Sequence, residues 1–212
     1  SSCTVYGIPD SLPIKEDAPI KHANSPYGNT KQISEEIIQD CLSSKDLGKA
    51  VLLRYFNPIG AHESSLIGEL PIGEPDNLVP RITQKAMGIL PDFKIYGKDY
   101  NTNDGTCVRD YIHVVDLAKA HVKALEYMCN SSENLGIFNI GTGKGTSVLE
   151  LINSFEKVSG KNFEYISGEK RKGDIPEIYA DVKKSEKKLN WKAELSIEDA
   201  LSSAWKWQKN LS

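Results

Sequence analysis

The sequence predicts an α/β fold in which apolar strands alternate with amphipathic helices, and three segments support that prediction. Apolar side chains recur at helical spacing after Ser25, a residue type that caps helices. The apolar stretch 50–56 follows this helix and has the length of a buried strand. A second apolar stretch, 137–140, precedes another helix from about Ser147. A helix followed by a strand in this way fits a parallel sheet, which binds its ligands beyond the carboxyl ends of its strands.

The remaining elements follow from the same patterns. Residues 1–6 are expected to end a strand, and a Pro-rich loop follows them. A helix is expected from Asn77 to about Gly88, and 93–97 should form a short strand. Asp116 is a candidate cap for a helix with an apolar stripe, and the final helix should begin at Ser196 with a capping box.

Composition excludes several functional classes. The 212 residues carry a net charge of −3 with well-mixed signs, which argues against nucleic acid or an acidic membrane as a partner. No apolar run approaches the ~20 residues that span a bilayer. The four cysteines have neither metal-ligand nor disulfide spacing, so we expect no metal site and reduced thiols in the cytoplasm.

The tyrosine and lysine at 27 and 31 suggest acid–base chemistry. Tyr27 and Lys31 are four residues apart, and a helical wheel places both in the apolar arc of Ile33, Ile37 and Ile38. A lysine directed at a core is costly unless it has a partner. An ammonium group one turn away stabilises a phenolate, which could take a proton from a sugar hydroxyl. The alternative is a core tyrosine beside a lysine whose charged end extends to solvent.

Three further features each have a structural and a functional interpretation. Asn57 either forms a turn or contacts a ligand at the end of its strand. Arg109 and Arg171 could clamp a phosphate from separate loops, or 169–174 could be a solvated charged loop. His113 follows an apolar strand, which favours a core histidine over a catalytic base.

A glycine-rich dinucleotide-binding fingerprint is missing before Tyr27. The most similar stretch in the sequence is Gly-Thr-Gly-Lys-Gly at 141–145. Its glycine spacing differs from the fingerprint, so we interpret it as a tight strand-to-helix turn. We therefore expect the chain to be the carboxyl-terminal part of a longer enzyme whose first half supplies most of the dinucleotide site.

Four stretches resemble the extended short-chain dehydrogenase/reductase family and, within it, the UDP-glucose 4-epimerases. They are Ser-Ser-Cys-Thr-Val-Tyr-Gly at 1–7, Ser-Pro-Tyr-Gly-Asn-Thr-Lys at 25–31, Leu-Arg-Tyr-Phe-Asn-Pro-Ile-Gly-Ala-His at 53–62 and Asp-Gly-Thr-Cys-Val-Arg-Asp-Tyr-Ile-His at 104–113. The resemblance implies the carboxyl-terminal part of a Rossmann-type parallel sheet plus a smaller mixed α/β substrate domain. Residues 1–60 would be the remnant of the NAD-binding domain with the Tyr/Lys helix. Residues 61–212 would mainly bind the UDP-sugar, with about 110–145 returning to the first domain.

The resemblance also implies a role for each matching residue. The catalytic residues would be Ser2, Tyr27 and Lys31, and the NAD contacts would be Tyr27, Lys31 and Tyr55. The implied substrate contacts are Ser2, Phe56, Asn57, Asn77, Leu78, Tyr96, Arg109, Arg171, Asp174 and Ile178. The family often has an aromatic residue where Ile178 stands, and a smaller side chain there could admit an N-acetyl group, so UDP-hexose and UDP-N-acetylhexosamine both stay open.

The implied activity is the interconversion of UDP-galactose and UDP-glucose by transient oxidation at C4, in a cytoplasmic homodimer built through the Tyr27 helix. One alternative is an inactive fragment or UDP-sugar-binding module. Another is a sister nucleotide-sugar dehydratase, in which an acidic pair usually follows the threonine of the first motif. Here Val5 and Tyr6 follow Thr4, so those acids are missing.

Overall fold

The computed structural model describes residues 1–44 and 48–211 and contains parallel strand pairs covered by helices. The helices are α1 (Pro26–Ser43), α2 (Leu78–Ala86), α3 (Val114–Asn130), α4 (Val148–Ser159), α5 (Lys183–Leu189) and α6 (Ile197–Asn210). The strands are β1 (Ala50–Tyr55), β2 (Asn57–Ile59), β3 (Lys94–Tyr96), β4 (Val108–Arg109), β5 (Tyr111–His113), β6 (Leu135–Ile140), β7 (Thr146–Ser147), β8 (Ile166–Gly168) and β9 (Glu177–Ile178). The predicted α/β class is confirmed.

The two longest strands form the parallel pair that the sequence predicts. β1 and β6 run side by side in register from Ala50 opposite Leu135 to Tyr55 opposite Ile140. β2 continues from β1 and pairs in parallel with β5, so Asn57 and Pro58 redirect the strand and do not end the sheet structure. β3 pairs in parallel with β8, and β4 lies between antiparallel β7 and parallel β9.

The apolar residues gather into three buried clusters. The first joins α2, α4 and α6, where the rings of Phe155 and Trp205 meet edge to face at 5.6 Å. The second packs α3 and Trp191 against β1 and β6. The third surrounds the 3₁₀ helix Cys3–Tyr6 and includes Phe56 and Ile178. Helical spacing therefore predicted the inner faces of α4 and α6 correctly. In α3 the predicted stripe holds for the buried Ala120 and Ala124 but not for Leu125, which is 59% exposed.

Two predicted helix caps, Ser25 and Ser196, are confirmed and one is wrong. Ser25 caps α1 and Ser196 opens α6 with a complete capping box. Ser147, where the sequence predicted only the start of a helix, opens α4 with a second capping box. Asp116 does not cap α3, because the Nδ1 atom of His113 accepts the hydrogen bond from Val115 N at 3.0 Å and starts the helix earlier. The Asp116 carboxylate is fully buried and accepts hydrogen bonds from the backbone N–H groups of residues 194 and 195.

The expected strand at 1–6 is a 3₁₀ helix. Ser2 makes a single parallel bridge with Tyr55, and its Oγ then accepts a hydrogen bond from Thr4 N at 3.3 Å. This side-chain bond caps the turn Cys3–Tyr6 and turns the backbone away from β1 after one bridge.

The helical wheel of α1 predicted the wrong buried face. Ile33, Ile37 and Ile38 are 45%, 56% and 37% exposed, so the apolar arc that also holds Lys31 does not pack on the core of this chain. Hydrophobic periodicity locates an apolar face but does not say which surface covers it.

A close backbone approach and an ion pair hold α1 in place. Gly28 and Glu35 are its buried residues. A Cβ atom at Gly28 would lie 3.2 Å from the Thr4 carbonyl oxygen, so glycine permits the approach. One turn beyond Lys31, Glu35 meets Arg54 of β1 in a buried ion pair of 2.7 Å.

A second buried carboxylate ties three loops together. Asp110 accepts hydrogen bonds from Thr142 N at 2.8 Å, Thr142 Oγ1 at 2.7 Å, Gly143 N at 3.0 Å and Ala180 N at 3.2 Å. A side chain at Gly141 would collide with this carboxylate. The prediction of a tight turn at 141–145 is confirmed, since two of its amide groups already bind an anionic group of the protein itself.

We predict that Asp110→Asn lowers the free energy of unfolding by about 3 kcal/mol, because the amide nitrogen cannot accept the backbone hydrogen bonds that the carboxylate accepts. The matched control is Asp10→Asn, since Asp10 is exposed and pairs with Lys21 at the surface, where the expected loss is below about 1 kcal/mol. Urea unfolding of both variants measures the difference. Equal losses would contradict the role assigned to Asp110.

Candidate functional site

A polar cleft of about 330 Å³ lies at the carboxyl end of β2 and between α2 and β3. It brings together seven residues that the sequence analysis expected to contact a substrate. They are Asn57, Asn77, Leu78, Tyr96, Arg109, Arg171 and Asp174. These residues come from five separate segments of the chain, so the cleft is a product of the fold and not of one local motif.

Cationic and aromatic groups face each other across one part of the cleft. The guanidinium carbon of Arg171 lies 4.0 Å from the centroid of the Tyr96 ring, a stacking distance. Arg109 Nη1 donates hydrogen bonds to the carbonyl oxygens of Val108 at 2.9 Å and Ile175 at 2.7 Å, which fix the direction of its side chain. Two guanidinium groups held in this way suit an anionic ligand with several oxygens, such as a diphosphate.

A tyrosine hydroxyl orients the carboxylate of the cleft. Tyr100 Oη donates to Asp174 Oδ2 at 3.3 Å. Burial, followed by the nearby Cys107 and Asp174, raises the pKa of Tyr100, so its hydroxyl stays protonated and remains a donor. Asp174 therefore offers acceptor oxygens at a fixed place, which suits the hydroxyl groups of a ribose.

The wall formed by residues 61–76 is fixed by the last helix. Trp207 Nε1 donates to the Glu69 carbonyl oxygen at 2.9 Å, and the Ser203 hydroxyl accepts from Ala61 N at 3.1 Å. The Asn77 amide in turn donates to the Glu69 carboxylate. Neither this contact nor Glu69 follows from the sequence patterns, because a tryptophan off the apolar stripe gives no sign of the loop that it binds.

Tyr27 and Lys31 lie together at the start of α1. The Lys31 ammonium nitrogen is 5.2 Å from the centroid of the Tyr27 ring, and the Tyr27 side chain is 55% exposed. The Ser25 hydroxyl caps the helix by accepting from Gly28 N at 3.1 Å. The expected tyrosine–lysine pair is therefore present at an accessible helix end, although not inside a core.

Ser2 and Tyr55 adjoin this helix at the end of β1. Ser2 is buried and bridges Tyr55, and the 3₁₀ helix that Ser2 caps packs against α1 through the Thr4 carbonyl and Gly28. The Tyr55 ring lies 6.0 Å from the ring of His121. The 3₁₀ helix Cys3–Tyr6 therefore lies between Ser2 and the first turn of α1, which carries Tyr27.

Two more of the expected substrate residues, besides Ser2, lie outside the cleft. Phe56 and Ile178 are each 4% exposed and pack in the same buried cluster, behind the cleft. Ile178 is the register partner of Arg109 across β9 and β4, so it supports the strand that carries the arginine.

His113 is a core histidine, as expected. It is buried, its Nδ1 accepts from Val115 N, and its Nε2 lies 3.3 Å from the Ser203 hydroxyl. Burial lowers the pKa of His113, which favours the neutral ring. Within residues 1–44 and 48–211, no three His, Cys, Asp or Glu side chains gather as a metal site. In the same ranges, no helix combines the length and apolar character needed to cross a bilayer.

Comparison with known proteins identifies the family of the chain. The family model described as GDP-mannose 4,6 dehydratase matches residues 1–204. The chain is 50% identical over 210 residues to a UDP-glucose 4-epimerase of Drosophila melanogaster, covering 98% of this chain and 60% of the relative. It is 49% identical to a UDP-glucose 4-epimerase of Bacillus subtilis, covering 99% and 61%.

Solved structures agree with the sequence comparison. The UDP-glucose 4-epimerase from Bifidobacterium longum in complex with NAD⁺ and UDP superposes with a TM-score of 0.94 at 48% identity, over 99% of this chain and 62% of that one. A Stenotrophomonas UDP-glucose 4-epimerase with bound NAD and formylated UDP-arabinopyranose gives a TM-score of 0.95 at 44% identity, over 100% and 62%. The chain therefore spans about three-fifths of the length of these relatives.

Proposed function

Because this chain belongs to the family that the GDP-mannose 4,6 dehydratase model describes, and is about half identical to UDP-glucose 4-epimerases, we propose that it is the carboxyl-terminal part of such an epimerase. The proposed reaction is the NAD-dependent interconversion of UDP-galactose and UDP-glucose by transient oxidation at C4, a step of galactose metabolism. The observation that carries the proposal is the convergence of Asn77, Arg109 and Arg171 on one cleft.

The proposal includes a division of labour along the chain. Residues 1–60 are assigned to the NAD-binding domain, 61–212 mainly to the UDP-sugar domain, and about 110–145 again to the first. The pairing of β1 with β6 supports this division, because 135–140 returns to the strand that follows the Tyr27 helix. We use "whole enzyme" for this chain together with the dinucleotide-binding half that we propose precedes it.

Tyr27 is the proposed base. The phenolate takes the proton of the C4 hydroxyl, and Ser2 hydrogen-bonds the same oxygen. Lys31 supports this role because its ammonium group lies beside the proposed base, 5.2 Å from the Tyr27 ring centroid. In the return step Tyr27 gives the proton back to the oxygen at C4, so it ends each turnover as it began.

The described residues fit the nicotinamide end of NAD. When bound, NAD would accept a hydride from C4 and return it to the other face of the sugar. Lys31 and the Tyr27 hydroxyl provide charged and polar groups side by side for ribose hydroxyls, and Tyr55 lies at the neighbouring strand end. The amide groups of Thr142 and Gly143 do not fit the pyrophosphate, because Asp110 already occupies them.

The cleft is the proposed site of the UDP group. Arg109 and Arg171 bind the diphosphate, Tyr96 lies against the uracil, and Asp174 accepts from the uridine ribose. Binding through the nucleotide holds the substrate and the intermediate ketose equally, so the ketose is retained while the sugar itself can turn over. Phe56 and Ile178 support this site from behind the strands that carry Asn57 and Arg109.

The dehydratase alternative has no support in the described residues. Thr4, Val5 and Tyr6 follow Ser2 and Cys3 in the first motif, and none of these residues is acidic. Burial, only partly opposed by Arg54, raises the pKa of Tyr6 to about 12, so this tyrosine is a structural donor to Asn139 and not a base.

We also assign a homodimeric state and a cytoplasmic location to the whole enzyme. The exposed apolar face of α1, formed by Ile33, Ile37 and Ile38, supports a dimer through that helix, because apolar side chains at one face favour burial. The four cysteines, all free in the structure, support a reducing compartment.

We predict that the 212-residue chain alone binds UDP weakly and retains no NAD, and that Arg171→Met weakens UDP binding at least tenfold. A charged hydrogen bond to phosphate contributes about 1.5–3 kcal/mol. The control is Lys172→Met, which removes the neighbouring exposed charge outside the cleft. Calorimetric titration with UDP measures both. Equal weakening in both variants, or stoichiometric NAD in the purified chain, would refute this assignment.

We predict that Tyr27→Phe in the whole enzyme lowers kcat by about 10²–10⁴-fold, because the base is removed, while UDP affinity stays within about twofold. Tyr165→Phe is the control, since it makes the same chemical change at a partly exposed tyrosine outside the site. Steady-state conversion of UDP-galactose and titration with UDP provide the two readouts. Near-normal turnover of the Tyr27 variant would exclude Tyr27 as the base.

A further inference from the structure

A buried ion pair between α1 and β1 has no role in the chemistry described so far. Glu35 and Arg54 are 4% and 3% exposed. Arg54 Nε donates to Glu35 Oε1 at 2.9 Å and Nη2 donates to Oε2 at 2.7 Å, so the guanidinium fork engages both carboxylate oxygens. Such a pair is expensive to bury and favours one relative geometry of its two elements.

Further contacts satisfy the pair and restrict it. Arg54 Nη1 donates to the Glu16 carbonyl oxygen at 3.1 Å, and the guanidinium carbon lies 4.8 Å from the Tyr6 ring centroid. The Ser1 hydroxyl donates to Glu35 Oε1. Burial would raise the pKa of Glu35, but the hydrogen bonds from Arg54 and Ser1 outweigh burial and lower it, so the carboxylate is ionised at neutral pH. The pair is therefore charged and fixed from both sides.

The position of Glu35 on α1 connects it with the proposed base. Tyr27, Lys31 and Glu35 follow one another at steps of four residues, which places them along one side of the helix. The Glu35 carboxylate thus anchors the side of α1 that carries Tyr27 and Lys31. Lys31 lies one turn before Glu35, and Tyr27 lies two turns before it.

The partners of Glu35 connect it with the other proposed site residues. Arg54 directly precedes Tyr55 in β1, and Ser1 directly precedes Ser2. The Glu35 carboxylate therefore binds Arg54 and Ser1. Arg54 is the chain neighbour of Tyr55, which is assigned to NAD, and Ser1 is the chain neighbour of Ser2, which is assigned to the C4 hydroxyl. Neither Glu35 nor Arg54 lines the UDP cleft.

We propose that Glu35 and Arg54 are positioning residues that set the rotation and height of α1 on β1, and with them the distance of the Tyr27 phenol from the reacting C4 hydroxyl. The proposal rests on the proposed function, in which Tyr27 is the base. A displacement of about 1 Å at a reacting group can cost about 10²-fold in rate. Because the nucleotide binds elsewhere, the ion pair acts on kcat and not on UDP affinity.

The decisive variant replaces both charges in the whole enzyme. Glu35→Met together with Arg54→Met removes the fork but leaves no unpaired buried charge, and such replacements often keep or improve stability. We expect a folded enzyme that binds UDP within twofold of the wild type and has a kcat at least tenfold lower. The matched control is Lys123→Met with Glu126→Met, which removes an exposed ion pair of α3 and should change neither quantity.

A second variant separates charge from geometry. Arg54→Lys keeps the positive charge beside Glu35 but cannot form the two-pronged contact, so kcat should again fall while UDP affinity is unchanged. An active wild type whose double-Met and Arg54→Lys variants keep its kcat would overturn this proposal alone. A fall in kcat matched by an equal loss of UDP affinity would also overturn it. An inactive wild-type whole enzyme would refute the proposed function and this proposal together.

Discussion

The hydrogen bonds to the buried carboxylate of Asp110 are the constraint on which the cleft depends. Four donors from the 142–143 turn and from Ala180 bind one side chain, and its backbone carbonyl accepts from Asn57 N at 2.9 Å. Arg109 directly precedes Asp110, so the hydrogen bonds that hold Asp110 also fix the backbone at Arg109. Without the carboxylate the 142–143 turn and the backbone at Ala180 would lose their common point of attachment beside Arg109.

The structure separates two tasks that the proposed reaction needs at once. The cleft that we propose for the nucleotide is lined by hydrogen-bonded groups, while the proposed base stands on a helix attached through Glu35 and Gly28. Uniform binding of the nucleotide does not by itself accelerate the chemistry. Binding through the nucleotide permits the sugar to present either face to the same base, provided that Tyr27 keeps a fixed distance from the C4 hydroxyl. The buried ion pair beneath α1 meets that second condition.

Sequence reasoning predicted the elements that local signals determine and missed what tertiary contacts decide. Apolar stripes predicted α4 and α6, and a capping box predicted the start of α6, while a ligand role for Asn57 stays a prediction. The prediction of the buried face of α1 was wrong, because α1 is held to β1 by the ion pair of Glu35 with Arg54. Hydrophobic periodicity detects only apolar packing and gives no sign of such a pair. Glu69 was missed because its place depends on Trp207, 138 residues away in the chain. The expected roles of the site residues came from the resemblance to a family, and the fold explains how seven of them meet.

The most direct test of the account follows the hydrogen at C4. UDP-glucose deuterated at C4 would be given to the whole enzyme in ordinary water, and the product examined by NMR and mass spectrometry. The account predicts UDP-galactose that keeps the deuterium at C4, because the hydrogen leaves and returns within one bound complex while Tyr27 exchanges only the hydroxyl proton. Loss of the deuterium to water, or a product without the C6 hydroxyl, would contradict it.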